Sequence, residues 1–103
     1  MIKAVVYKLI KPCQIDLTKG AQKDLTKIPQ YMQEKLLLWV DSVERMGINI
    51  TRKIPGYHDE PLRGERQGQR SIRLNKAYRA IYIENEQNEI IIISIIEVNK
   101  HEY

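Results

Sequence analysis

Between Arg52 and Arg79 the chain carries eight basic residues (Arg52, Lys53, Arg63, Arg66, Arg70, Arg73, Lys76 and Arg79) against three acidic ones, Asp59, Glu60 and Glu65. The overall formal charge is +4, so this local excess of five leaves the rest of the chain at −1. A basic stretch this concentrated is the footprint of a polyanion partner, although arginines interspersed along a solvated strand give the same count. Guanidinium groups such as Arg73 and Arg79 offer a fixed fork for two phosphate oxygens and stay charged at any relevant pH. Their plainer use is pairing with a cross-strand carboxylate. Glu60 stands just ahead of the basic strands, where an ion pair with Arg63 is its plainest use.

A second group lies at the end of the sequence, in Glu97-Val98-Asn99-Lys100-His101-Glu102-Tyr103. If the last strand stays extended, alternate residues share a face. Ile96 and Val98 then point to the core, while Asn99, His101 and Tyr103 point away together. An imidazole titrating near neutrality can donate a proton to a leaving oxygen. A phenol ring can stack on a splayed base. The alternative is a frayed tail, ordinary for the last residues of a domain.

The elements that must position these groups follow from periodicity. Ile2 to Ile10 is rich in Val and Ile and suits an extra strand or arm, broken by Pro12. Gln14 to Leu17 is a second strand candidate. Thr18 is a helix N-cap, followed by a stripe of Ala21, Leu25 and Ile28. Pro29 ends that helix or opens the next. Met32, Leu36, Trp39, Val40, Val43 and Met46 keep helical spacing up to Gly47, which suits a left-handed C′ position. Trp39 reads as core packing. Ile48 to Leu62 reads as a loop with room for a short strand. Three strands follow: Arg70 to Asn75, Ala77 to Glu84 with Arg79, Ile81 and Ile83 on one face, and Ile90 to Val98, whose isoleucine run suits a central strand covered on both sides. Asn75-Lys76 is a hairpin connection and Glu84 to Asn88 a polar turn. The fold class is α+β: two N-terminal helices on a small, about four-stranded, mainly antiparallel sheet.

With 103 residues and 43% apolar composition, the chain reads as one globular domain spanning 1–103, with 1–12 as the added strand or arm. No stretch is long and apolar enough to span a membrane, and Met1 to Ile10 does not read as a signal peptide. One cysteine, Cys13, precludes an internal disulfide and has no nearby base. With that Cys and two His, a structural zinc site is close to excluded, and neither metal nor cofactor is expected. The default compartment is the cytoplasm.

The run from Asp59-Glu60-Pro61-Leu62-Arg63-Gly64 through Gly68, Ser71-Ile72-Arg73-Leu74-Asn75 and Tyr78-Arg79-Ala80-Ile81-Tyr82 resembles the RelE/ParE superfamily of toxins. It is most similar to the HigB and YoeB branches. The helical segment Thr18-Lys19-Gly20-Ala21-Gln22-Lys23-Asp24-Leu25-Thr26-Lys27-Ile28-Pro29 and the His/Tyr ending fit the same family, so the resemblance covers residues 14–103. It implies a RelE-like fold and a toxin of a type II toxin–antitoxin system. Such a toxin is a ribosome-dependent, metal-independent endoribonuclease (an mRNA interferase) that cuts messenger in the A site. Messenger RNA, the ribosome with its 16S RNA surface, and a cognate antitoxin protein are the implied partners.

By the same resemblance Glu60 is the general base that takes the 2′-OH proton, and Arg79 binds the phosphate. His101 is the general acid and Tyr103 the stacking residue. Arg73 is a second phosphate contact; Arg63, Arg66, Arg70 and Lys76 would grip RNA backbone. In YoeB-like chains the His and Tyr are adjacent, whereas Glu102 separates them here. Lys100 is a reserve acid. His58 reads as an exposed, inert loop histidine, although HigB-like toxins use a histidine in a loop. Two other readings stand beside this one. A ParE-like toxin would inhibit DNA gyrase by binding and need no catalytic set. A regulatory domain would bind RNA and cut nothing.

Overall fold

The structure is a computed structural model and describes residues 13–100. The extra strand or arm expected at 1–12 lies outside the described residues, as do His101 and Tyr103.

The chain opens with β1 (Cys13–Leu17), then α1 (Lys19–Leu25), α2 (Gln30–Met46) and a single-turn α3 (Ile48–Thr51). A 3₁₀ turn at Pro55–Tyr57 leads into the two-residue β2 (Glu60–Pro61), and a second at Gly64–Arg66 leads into β3 (Gln69–Arg73). The long strands β4 (Tyr78–Gln87) and β5 (Ile90–Lys100) complete a five-stranded sheet of order β1-β5-β4-β3-β2. Among the described residues only β1 and β5 pair in parallel; the other neighbours are antiparallel. The architecture is thus the expected α+β class with one strand more. The fifth strand is β2, too short for any alternation to be seen in sequence.

Local chemistry accounts for the helices. Thr18 caps α1, its Oγ1 accepting from the Ala21 amide at 3.1 Å. Pro29 stands just before α2 and donates no amide, which suits a helix start. Gly47 has φ 85° and ψ 162°, a region open essentially to glycine alone, rather than the left-handed C′ conformation expected of it. That backbone ends α2 and starts α3 at once. The segment read as loop therefore begins with a helical turn, locked by the buried Ile48 and by a Ser42–Thr51 hydroxyl pair at 2.9 Å.

The core lies between the helices and one face of the sheet. Ala21, Ile28, Met32, Leu36, Trp39, Val43 and Ile48 meet Ile72, Leu74, Ala80, Tyr82, Ile91, Ile93, Ile95 and Val98. Trp39 is fully buried, its ring 5.2 Å from that of Tyr82, in agreement with its reading as packing. Burial of each large apolar side chain contributes about 1.5–3 kcal/mol.

The last strand departs from the isoleucine-run reading in one respect. Ile81 pairs with Glu97 but Tyr82 with Ile95, so Ile96 is an extra residue, a β-bulge. The bulge switches parity: Ile91, Ile93 and Ile95 face the helices before it, Val98 after it. Val98 is in the core as expected, whereas Ile96 is only half-buried. Ile90 is 37% exposed, so β5 is not covered on both sides. Beyond β1, the outer edge of β5 is closed by α1. Thr18 N–H donates to the Ile95 carbonyl at 3.0 Å, and the Asp24 carboxylate accepts from the Val98 amide at 3.0 Å.

Candidate functional site

The second face of the sheet, opposite the helices, presents the polar side chains. Because opposed residues in antiparallel strands share a face, Glu60, Ser71, Ile81 and Glu97 form one row across β2, β3, β4 and β5. Arg73, Arg79 and Asn99 form the next. At the end of this face a pocket of about 210 Å³ opens, lined by His58, Glu60, Ser71, Arg73, Asn75, Lys76, Tyr78 and Arg79.

Each wall has a local cause. The β3–β4 turn is held by Asn75, whose Oδ1 accepts from the amides of Ala77 at 2.7 Å and Tyr78 at 2.8 Å. This Asx geometry fixes the spacing between Arg73 and Arg79. The two arginines are directly opposed, and neither has a carboxylate partner among the described residues. The Arg79 Nε is buried with no hydrogen-bond partner there. Buried polar atoms left unpartnered are costly and two opposed guanidinium groups repel, so an anion between them would relieve both effects. On the opposite wall, His58 sits in the left-handed region with φ 44° and ψ 48°, and Glu60 is exposed on the short β2.

Other cations are already engaged. Arg66 donates from Nη2 to both Glu97 carboxylate oxygens at 2.9 and 3.1 Å, reaching from its 3₁₀ turn to β5. Arg70 lies on the helix side, since Ile72 two residues on is in the core, and its Nε donates to Asp59 at 2.7 Å. Arg52 pairs with Glu84. Arg52 is raised above its ordinary value by its contacts with Tyr82 and Glu84, which outweigh the opposing effect of burial.

A family model described as the ParE toxin of the type II toxin–antitoxin system parDE matches residues 15–102. The chain belongs to the ParE toxin family. No curated protein sequence matches it significantly. Among solved structures, the E. coli DinJ–YafQ toxin–antitoxin complex is similar at TM-score 0.68 and 18% identity, covering 89% of this chain and 94% of that one. A YoeB/ParE toxin from Agrobacterium tumefaciens follows at 0.65 and 19%, with 86% and 99% covered. The RelBE2 toxin–antitoxin complex from Mycobacterium tuberculosis reaches 26% identity at TM-score 0.53, with 87% and 99% covered. The RelE/ParE superfamily assignment and the toxin class are therefore established, and the fold is that of the YoeB and YafQ toxins.

Within this family fold, the expected site residues fall into three groups. Glu60, Arg73, Lys76 and Arg79 come together in the pocket. Arg66 and Arg70 are held in ion pairs outside it, and Arg63 is exposed in the loop before the second 3₁₀ turn. His101 and Tyr103 lie outside the described residues. His58 is exposed, as expected, but it lines the same pocket as Glu60. Ser71, Asn75 and Tyr78 also line it without having been singled out. Asn75 carried a signal, since an Asn in a hairpin connection commonly caps its own turn. No helix among the described residues is long and apolar enough to cross a membrane.

Proposed function

We propose that this ParE-family toxin is a ribosome-dependent endoribonuclease that cuts messenger RNA in the A site without a metal. The observation that carries this reading is the opposed Arg73–Arg79 pair, free of carboxylates, facing the same pocket as Glu60 and His58. A phosphodiester seated between the guanidinium groups would have the charge of its pentacoordinate transition state neutralised by two forks. Glu60 takes the proton of the 2′-OH, whose oxygen bonds to phosphorus while the bond to the 5′-oxygen breaks. The departing 5′-oxygen is protonated by His101, as the family resemblance implies. His58 is the second candidate for this step because it lines the pocket. Tyr103 stacks on the base, and Arg63 and Lys76 hold RNA backbone. A cognate antitoxin binds and silences the toxin; DinJ–YafQ and RelBE2 are likewise toxin–antitoxin complexes. The protein acts in the cytoplasm, where translating ribosomes are.

The second reading is a ParE-like toxin that inhibits DNA gyrase by binding, kept because the matching family model is that of the ParE toxin. One paired experiment separates the two. Purified chain is added to translating ribosomes, and separately to gyrase with relaxed plasmid. The nuclease reading predicts messenger fragments ending in 2′,3′-cyclic phosphate with 5′-hydroxyl partners, and undisturbed supercoiling. Blocked supercoiling with intact messenger would replace it with the gyrase reading.

A further inference from the structure

The carboxylate of Asp59 is fully buried, yet it lies between two residues, His58 and Glu60, that both line the pocket. Its two oxygens are held by different strands. Oδ1 accepts from Arg70 Nε of β3 at 2.7 Å, and Oδ2 accepts from the Tyr82 hydroxyl of β4 at 2.6 Å. The Tyr82 oxygen in turn lies 3.5 Å from Arg52 Nη2, and Arg52 is anchored by Glu84. Alternation along the chain explains the arrangement. Glu60 opposes Ser71 and points to the open face, while Asp59 meets Arg70 and Tyr82 on the helix side. The loop is thus riveted to the sheet from behind, one residue from each of two pocket side chains.

The rivet sits where the loop most needs one. β2 is only two residues long, and His58 holds a positive φ that L residues enter only when their surroundings impose it. Nothing else among the described hydrogen bonds ties side chains 58–60 to β3 and β4. A buried carboxylate donated to by an arginine and a phenol is a charge-assisted, geometrically strict anchor.

We propose that Asp59 is a positioning residue that, through Arg70 and Tyr82, fixes Glu60 and His58 relative to the Arg73–Arg79 pair. This rests on the nuclease reading above. Asp59 touches no substrate; it sets where the proton-transfer groups stand. Its loss therefore alters the chemical step and leaves RNA binding, which belongs to the arginines, in place.

The test is single-turnover cleavage of ribosome-bound messenger at rising toxin concentration, for the wild-type chain, Asp59→Asn and Tyr82→Phe. Amide hydrogen exchange at residues 58–60 is measured on the same three proteins. Asp59→Asn should lower the saturating rate on the order of 10²-fold with an unchanged half-saturation concentration, because small misplacements of reacting groups are that costly. Tyr82→Phe keeps the Arg70 contact and should lose less. It also serves as the folded reference if Asp59→Asn does not fold. Exchange at 58–60 should quicken in both. Wild-type rates in the folded variants, or a drop carried by half-saturation alone, would overturn the positioning role and leave the nuclease reading standing. Absence of cleavage by the wild-type chain would instead remove that reading, and the inference with it.

Discussion

Arg70 and Arg73 are three residues apart and look equivalent in sequence, but they face opposite sides of the sheet. Arg73 opposes Arg79 on the open face, whereas Arg70 is drawn to Asp59 on the helix side. Charge counting could not separate them, because it registers the number of cations and not which carboxylate each one meets. The same limit hid Arg66, whose partner Glu97 is thirty-one residues away. Tyr82 shows what such a network does to a titratable group. Burial, and then the neighbouring Asp59 carboxylate, push its phenol above the ordinary value near 10. The folded chain therefore holds this proton more tightly than the unfolded chain. Its stabilising contribution is complete below about pH 10 and is lost as pH rises through the folded value. Chemical denaturation at increasing alkaline pH should show falling stability, and the fall should be shallower in Tyr82→Phe. Identical slopes in the two proteins would mean that the phenol is not held in this way.

Among the elements, periodicity found what is long and missed what is short. The two amphipathic helices and the three long antiparallel strands were readable from their apolar spacing, and so was the capping role of Thr18. The α3 turn was not, because four residues carry too little period and Gly47 looks like an ordinary stop. Nor was the bulge at Ile96, since an isoleucine run is compatible with either parity. The β4–β5 turn is shorter than the polar run Glu84 to Asn88 suggested. β4 continues to Gln87, and the reversal falls on Asn88 and Glu89, with φ of 50° and 67°. Two positive-φ residues give the primed turn that matches strand twist, for which Asn-Gly is the favoured pair. Glu89 holds a left-handed conformation that costs an L residue about 1–2 kcal/mol. Glu89→Gly should therefore raise unfolding stability by about 1 kcal/mol, after the added chain entropy of glycine is set against the relieved strain. Urea titration should show a higher midpoint with an unchanged slope.

For the molecule as a whole, the sheet separates two duties. One face is given to the helices and the core, and the other carries, beside the buried Ile81, the polar groups that end in the pocket. The family and the fold class were legible because Glu60-Pro61-Leu62-Arg63-Gly64, Ser71-Ile72-Arg73 and Tyr78-Arg79 recur in a fixed order along the chain. Which of these residues meet in space was legible only in part. Glu60 and Arg79 lie nineteen residues apart, and β2–β3–β4 pairing brings them into one pocket. The central claim is that this pocket is where messenger is cut. Its most direct test is primer extension on a translated messenger with purified ribosomes, comparing the wild-type chain with Arg79→Ala and Glu60→Gln. Cleavage inside the A-site codon by the wild-type chain, reduced at least about 10²-fold in both folded variants, is the expected result, consistent with losing electrostatic or general-base assistance. Full cleavage by both variants would place the chemistry elsewhere on the molecule and contradict the account.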